Sequence, residues 1–309
     1  MPWRETPAEL ERARAEQPVL IGSPSGRLCG IYTPAAPDAP RAGVCVVLLT
    51  SPRSHRNRMW VEGARRLATL GFSAMRFDLH GTGDSEGETA FRNPNQPYRE
   101  DLVAVLRHLG AAFGERRFAV SGVCFDARTA LSAFEDCADS IVGLLFIAAP
   151  LMELETLVQA ASERKGWGHL MHALRKPSNW KSMVRPERWR HAGLVLSRMV
   201  RRSVPGGNAA ELPLSPGFRR DFDALVRSRS RALFLYGRED SEYESFRVAE
   251  RELFPRLDAA TRARLEVEVW PGRIHGCTEM NRQRESFERG VTWLARLHPS
   301  VAAAETARR

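Results

Sequence analysis

The chain has 309 residues, 43% of them hydrophobic, five cysteines and a formal net charge of +9. That length suits one large α/β domain with an insertion and leaves ample chain to bury a core. No apolar run approaches the roughly 20 residues that cross a bilayer, and the start (Met1 to Thr6) lacks the apolar core of a signal peptide. Cys29, Cys45, Cys124, Cys137 and Cys277 are odd in number and lack metal-type spacing. A reduced, cytoplasmic protein with no metal or cofactor is expected.

Elements follow in chain order, with residues 1–15 and 299–309 read as loosely packed ends. Val44–Thr50 reads as a buried strand. Phe118, Ala119 and Val120 form a short apolar run that Ser121-Gly122 breaks. Phe125–Glu135 then has Ala, Leu and Phe at helical spacing. A strand turning sharply into a helix at Cys124 puts a thiol at the corner, and the helix N-terminus favours its thiolate form. Ile141–Ala148 is the next strand. Ala232–Tyr236 is another, ending in Gly237-Arg-Glu-Asp240. Leu265–Trp270 alternates like a half-buried strand and ends in Pro271-Gly272 just before His275. Strands alternating with helical patterns from Val44 onward predict a mostly parallel, doubly wound sheet.

Between Met152 and Arg220 lie 13 Lys and Arg against 5 Asp and Glu, a net of +8. Trp167, Trp180 and Trp189 are interleaved there with Arg175, Arg185, Arg188 and Arg190, and Val204–Asn208 is a flexible exit. We read 1–151 and 221–309 as the core and 152–220 as an inserted segment.

These residues resemble the α/β-hydrolase superfamily over roughly 17–297. The likeness rests on the Arg76–Gly87 turn, the Cys124 corner, and Asp240 and His275, each in a loop after its own strand. The resemblance implies the α/β-hydrolase fold, with 152–220 as a helical cap over the site. It also implies a nucleophile, acid and histidine in that chain order. The corner reads Gly122-Val-Cys-Phe-Asp126, so it departs twice from Gly-x-Ser-x-Gly. Thr50–Arg58 together with the Gly-x-Cys corner resembles the hydrolases associated with exosortase systems. Cysteine corners also occur in dienelactone hydrolases and polyhydroxyalkanoate synthases, so the cysteine does not choose a reaction.

The roles that follow are Cys124 as nucleophile, His275 as base and Asp240 as the carboxylate orienting it, with Glu239 and Glu242 competing in the same loop. His55 and His80 are alternatives to His275, and His80 reads as structural. The Phe125 N–H is one oxyanion donor; the other is at Ser51 or Arg53, since Pro52 has no N–H. Asp126 either complements the helix N-terminus or faces the substrate. The three cap tryptophans either line an apolar pocket or pack the cap, and Arg185 and Arg188 either face solvent or meet an anionic partner.

Together these predict acyl transfer through a Cys124 acyl-enzyme, by a thioesterase or acyltransferase acting on a small-molecule acyl thioester or ester. An acidic acyl carrier protein or a coenzyme A thioester suits the basic cap, whereas nucleic acid lacks any recognisable binding module. A small-molecule carboxylester or lactone hydrolase, a base-only lyase and a non-catalytic binding protein are the other readings.

Overall fold

A computed structural model describes residues 15–50, 52–88, 97–152, 214–275 and 280–298. Two compact units are distinguished, Met1–Leu151 with Ser215–Arg309, and Met152–Leu214. Most of the second unit lies outside the described residues, and with it Trp167, Trp180, Trp189, Arg185 and Arg188. Within it, Met152 and Leu214 form an antiparallel bridge.

The first unit is built on an eight-stranded sheet in the order β1-β2-β4-β3-β5-β6-β7-β8. Its strands are β1 (Gln17–Ser23), β2 (Gly26–Thr33), β3 (Cys45–Leu49), β4 (Ser73–Phe77), β5 (Phe118–Val123), β6 (Ile141–Ile147), β7 (Arg231–Gly237) and β8 (Leu265–Trp270). β1 and β2 form an antiparallel hairpin that joins β4 antiparallel. From β4 to β8 every pairing is parallel. Helices α1 (Met59–Thr69), α2 (Arg99–Phe113), α3 (Phe125–Ser132), α4 (Phe134–Cys137), α5 (Pro216–Arg227), α6 (Ser241–Leu253), α7 (Ala259–Arg264) and α8 (Met280–Ala295) connect or flank them.

Strand periodicity divides the core between the two faces of the sheet. Leu145, Ile147, Leu233 and Leu235 join Leu48, Met59, Trp60, Phe287 and Trp293 in one apolar cluster, with α1 and α8 against it. The alternate residues Phe146 and Phe234 pack with ring centroids 5.2 Å apart and planes tilted by 58°. Phe234 continues into Phe222, Phe246 and Phe254 at 6.3, 5.8 and 6.0 Å, contributed by α5, α6 and the turn after α6. Burying each such side chain contributes about 1.5–3 kcal/mol.

Three sequence expectations shift in detail. The helix after Cys124 ends at Ser132, and a separate short helix, α4, follows it. The inserted unit ends at Leu214 rather than Arg220, because Ser215 caps α5, accepting from the Phe218 N–H, and Pro216 starts the helix. The hairpin β1–β2 adds two strands ahead of Val44. Among the described residues, Cys29, Cys45, Cys124 and Cys137 are free thiols. No described helix is long and apolar enough to cross a membrane.

Candidate active site

Among the described residues, Cys124, Asp240 and His275 lie beyond the C-terminal ends of the parallel strands β5, β7 and β8. β5 ends at Val123 and α3 begins at Phe125, leaving Cys124 alone at the corner with φ 58° and ψ −126°. A non-glycine residue held there costs on the order of 1–3 kcal/mol and must be over-determined by its surroundings. Two backbone bonds do this. The Cys124 N–H donates to the Ile147 carbonyl at the end of β6 (2.8 Å), and the Cys124 carbonyl accepts from the Ala127 N–H (3.2 Å).

Gly122 makes the turn sterically possible. A Cβ on it would lie 2.4 Å from the Ala127 nitrogen and 2.5 Å from the Asp126 carbonyl carbon and oxygen. One glycine is therefore indispensable, and it is the one before the cysteine. Asp126, at the position of the second glycine in the serine pattern, is only 4% exposed. It sits in the first turn of α3, where a carboxylate complements the partial positive charge of the helix N-terminus.

His275 stands just beyond β8, and its Nε2 lies 3.1 Å from the Cys124 Sγ. The two residues that the sequence reading cast as nucleophile and base thus lie in contact, across 151 residues of chain. The ring is partly open, with 36% of the side chain exposed.

The carboxylates divide differently from the expectation. Asp240 is 5% exposed and turns toward backbone. Its Oδ2 accepts from the Gly237 N–H (3.0 Å), and its two oxygens share the N–H groups of Ile274 (3.2 Å to each) and His275 (3.0 and 3.1 Å). The carboxylate facing the His275 ring belongs to Glu242, whose Oε2 lies 3.4 Å from Nδ1 with 11% of its side chain exposed. This is ion-pair reach and longer than a hydrogen bond. The backbone N–H of Glu239, the third carboxylate of this loop, donates to the Gly272 carbonyl.

The oxyanion expectation narrows. Phe125 is the first residue of α3, so its N–H has no carbonyl of the helix to bond. The Arg53 N–H, in contrast, donates to Asp78 Oδ1 at 2.7 Å and cannot also hold an oxyanion. Arg53 further pairs its guanidinium with Asp78 and Asp84, pinning the loop after β3 to the Gly-rich turn after β4. A Cβ on Gly83, at φ +55°, would run into the Asp78 carboxylate at 2.2 Å. Ser51 lies outside the described residues.

The competing histidines are held elsewhere. His80 bonds Asp101 Oδ2 through both its backbone N–H and ring Nδ1, each at 2.8 Å, and is structural. His55 packs its ring against Trp60. Among the described residues no group of three or more His, Cys, Asp or Glu is arranged to hold a metal ion.

A thiol 3.1 Å from an imidazole nitrogen can pass its proton across a direct contact, leaving a thiolate at a helix N-terminus. That is a nucleophile of the kind that attacks acyl carbon.

Comparison with known proteins supports the α/β-hydrolase fold. The family model described as serine aminopeptidase, S33 matches residues 44–192. Among solved structures, the chain is similar to a proline iminopeptidase of Mycobacterium smegmatis, with a TM-score of 0.54, 15% identity, and coverage of 93% of this chain and 100% of that one. It is similar to an esterase of Pyrococcus furiosus (TM-score 0.57, 16% identity, 96% and 97% covered). It also resembles an α/β serine hydrolase without lid from Xanthomonas campestris (TM-score 0.52, 14% identity, 90% and 94% covered). No curated protein matches the chain in sequence.

Proposed function

We propose that this chain, which has the α/β-hydrolase fold, is an acyl-transfer enzyme working through a thioester on Cys124. The single observation that carries this reading is the 3.1 Å contact between the strained corner thiol and His275 Nε2.

In the first half-reaction the Sγ proton moves to Nε2 as sulfur attacks the acyl carbon. The carbonyl electrons move onto oxygen, and the Phe125 N–H is placed to receive them. Collapse of the tetrahedral intermediate breaks the bond to the leaving thiolate or alkoxide, which takes the proton back from the imidazolium. In the second half the acceptor, whether water, alcohol, amine or thiol, gives its proton to His275 and attacks the thioester. Cys124 then leaves as a thiolate and is reprotonated by His275. A thioester on cysteine stays activated and exchanges nearly isoenergetically with other thiols. This supports acyl transfer between thioesters, with hydrolysis as the same chemistry on water.

The proline iminopeptidase and the esterase among the similar structures are named for acyl-carbon chemistry. The net charge of +8 over residues 152–220 fits an anionic thioester carrier, coenzyme A or an acidic carrier protein.

The test is release of free thiol from a series of acyl-coenzyme A thioesters by wild type, Cys124→Ala and His275→Ala. Both variants are expected to lose at least about 1,000-fold in turnover. Turnover by Cys124→Ala at the wild-type rate overturns the reading. Loss in His275→Ala alone would indicate base-only chemistry.

A further inference from the structure

We infer that Glu242 is the carboxylate that positions the His275 ring, and that Asp240 acts instead as a clamp on the loop carrying it. The inference rests on the Cys124–His275 reading above and assigns two residues to the work that one carboxylate is expected to do.

Asp240 is fully engaged by main chain. A carboxylate has about four acceptor positions, and here three N–H groups converge on it, from Gly237, Ile274 and His275. Gly237 lets it come this close: a Cβ there would lie 2.6 Å from Asp240 Oδ2. Asp240 thus staples the end of β7 to the loop after β8 and fixes where the His275 main chain stands. It is also the N-cap residue of α6, without a side-chain capping hydrogen bond.

Glu242 is in the first turn of α6. Its Oε1 is taken by the Ser241 hydroxyl at 2.8 Å, which leaves Oε2 to face His275 Nδ1 at 3.4 Å. That Oε2 is buried and has no hydrogen-bond donor of its own. A first-turn glutamate serving only the helix dipole would sit in solvent, where the dipole effect is a few tenths of a kcal/mol to about 1 kcal/mol. A buried carboxylate oxygen without a close donor is costly. With Nε2 free to take the Cys124 proton, Nδ1 already carries the ring hydrogen on the Glu242 side, and that N–H becomes a stronger, charge-assisted donor once the imidazolium forms. The site is therefore complementary to the charged thiolate–imidazolium state rather than to the neutral resting pair. Among the described residues, Tyr236 donates its hydroxyl to the Ala149 carbonyl at 3.0 Å and Ser245 donates its own to the Glu242 carbonyl at 2.6 Å.

Alkylation of Cys124 by iodoacetamide, in which the thiolate displaces iodide, tests this without a substrate. The rate is followed from pH 5 to 9 by peptide mass spectrometry, with thermal melts on every variant. Wild type is expected to alkylate well below the pH at which His275→Ala does. Glu242→Gln should lose about tenfold or more at pH 6 and approach the His275→Ala profile with little change in melting. Glu242→Asp should recover part of the loss. Asp240→Asn should melt earlier and react more slowly at every pH alike, keeping the shape of the wild-type profile.

A wild-type profile in folded Glu242→Gln overturns the inference. So does an Asp240→Asn profile that matches His275→Ala. Identical profiles for wild type and His275→Ala would overturn the Cys124–His275 reading, and this inference with it.

Discussion

Gly122→Ala is expected to lose about 3 kcal/mol or more of stability and to abolish the heightened reactivity of Cys124. The added methyl would stand 2.4–2.5 Å from the backbone of Asp126 and Ala127. Contacts that short to main-chain atoms cannot be relieved by turning a side chain, so either β5 or the start of α3 must move. Overpacking costs about 1–3 kcal/mol where side chains can yield, and more where they cannot. Movement of α3 carries with it both Cys124 and the Phe125 N–H, so the thiol and its oxyanion donor are displaced together. Urea unfolding and iodoacetamide reactivity check the two halves. Wild-type stability together with wild-type reactivity would show that the strand-to-helix turn is looser than the structure has it.

The second large effect lies one helical turn beyond the nucleophile. Arg128 is fully buried, donates to the Pro150 carbonyl at 3.2 Å and lies over the Phe218 ring at 5.3 Å. Its Nη2 is 4.0 Å from Asp221 Oδ2, while Asp221 also accepts from Arg220 at 3.0 Å. Burial pulls the Arg128 guanidinium down to about 10 against the pull of Asp221. Burial likewise pushes the Asp221 carboxyl up despite Arg128 and Arg220.

Both shifts have the same sign in stability. A base lowered on folding resists its charge at every pH below its folded value. An acid raised on folding contributes stability only while protonated and loses it as pH rises. At neutral pH the pair is therefore a net cost that each partner reduces for the other. Asp221→Ala should cost about 3–5 kcal/mol by leaving Arg128 a buried, unpaired cation. The double replacement Arg128→Met with Asp221→Leu should cost less than half as much. Denaturant titrations of both single variants and the double decide it. A double variant less stable than Asp221→Ala would mean that the pair is net stabilising. Because Arg128 joins α3 to the Pro150 and Phe218 segments, loosening it should also slow Cys124 chemistry.

Why some of this was legible in the sequence and some was not follows from the range of the forces involved. β7 and β8 are followed by turn residues close to Asp240 and His275, so an apolar run plus a breaker placed those loops, whereas β5 runs on through Ser121 and Gly122 to Val123 instead of breaking after Val120. Gly122, two residues before Cys124, reads in the sequence only as a breaker; that α3 packs against it at 2.4–2.5 Å from an added Cβ is visible only in the structure. The hairpin β1–β2 escaped notice because its alternation is diluted by Gly22, Ser23, Ser25 and Gly26, and because it lies at the sheet edge, where Leu20 is 60% exposed.

The division of labour between Asp240 and Glu242 was not readable either. Sequence puts three carboxylates in one loop, but which one meets imidazole depends on where α6 starts and on Gly237 drawing Asp240 toward backbone. Likewise nothing near Arg53 in the chain signals that its N–H is taken by Asp78, 25 residues away. Local patterns fix turns; partners brought by the sheet fix roles.

The most direct test of the central claim is the intact mass of the protein after brief exposure to activated acyl thioesters. Wild type is predicted to gain the mass of one acyl group, and Cys124→Ala to gain none under the same conditions. A wild-type mass unchanged across several acyl chains, with the protein still folded, would contradict an acyl-enzyme on Cys124.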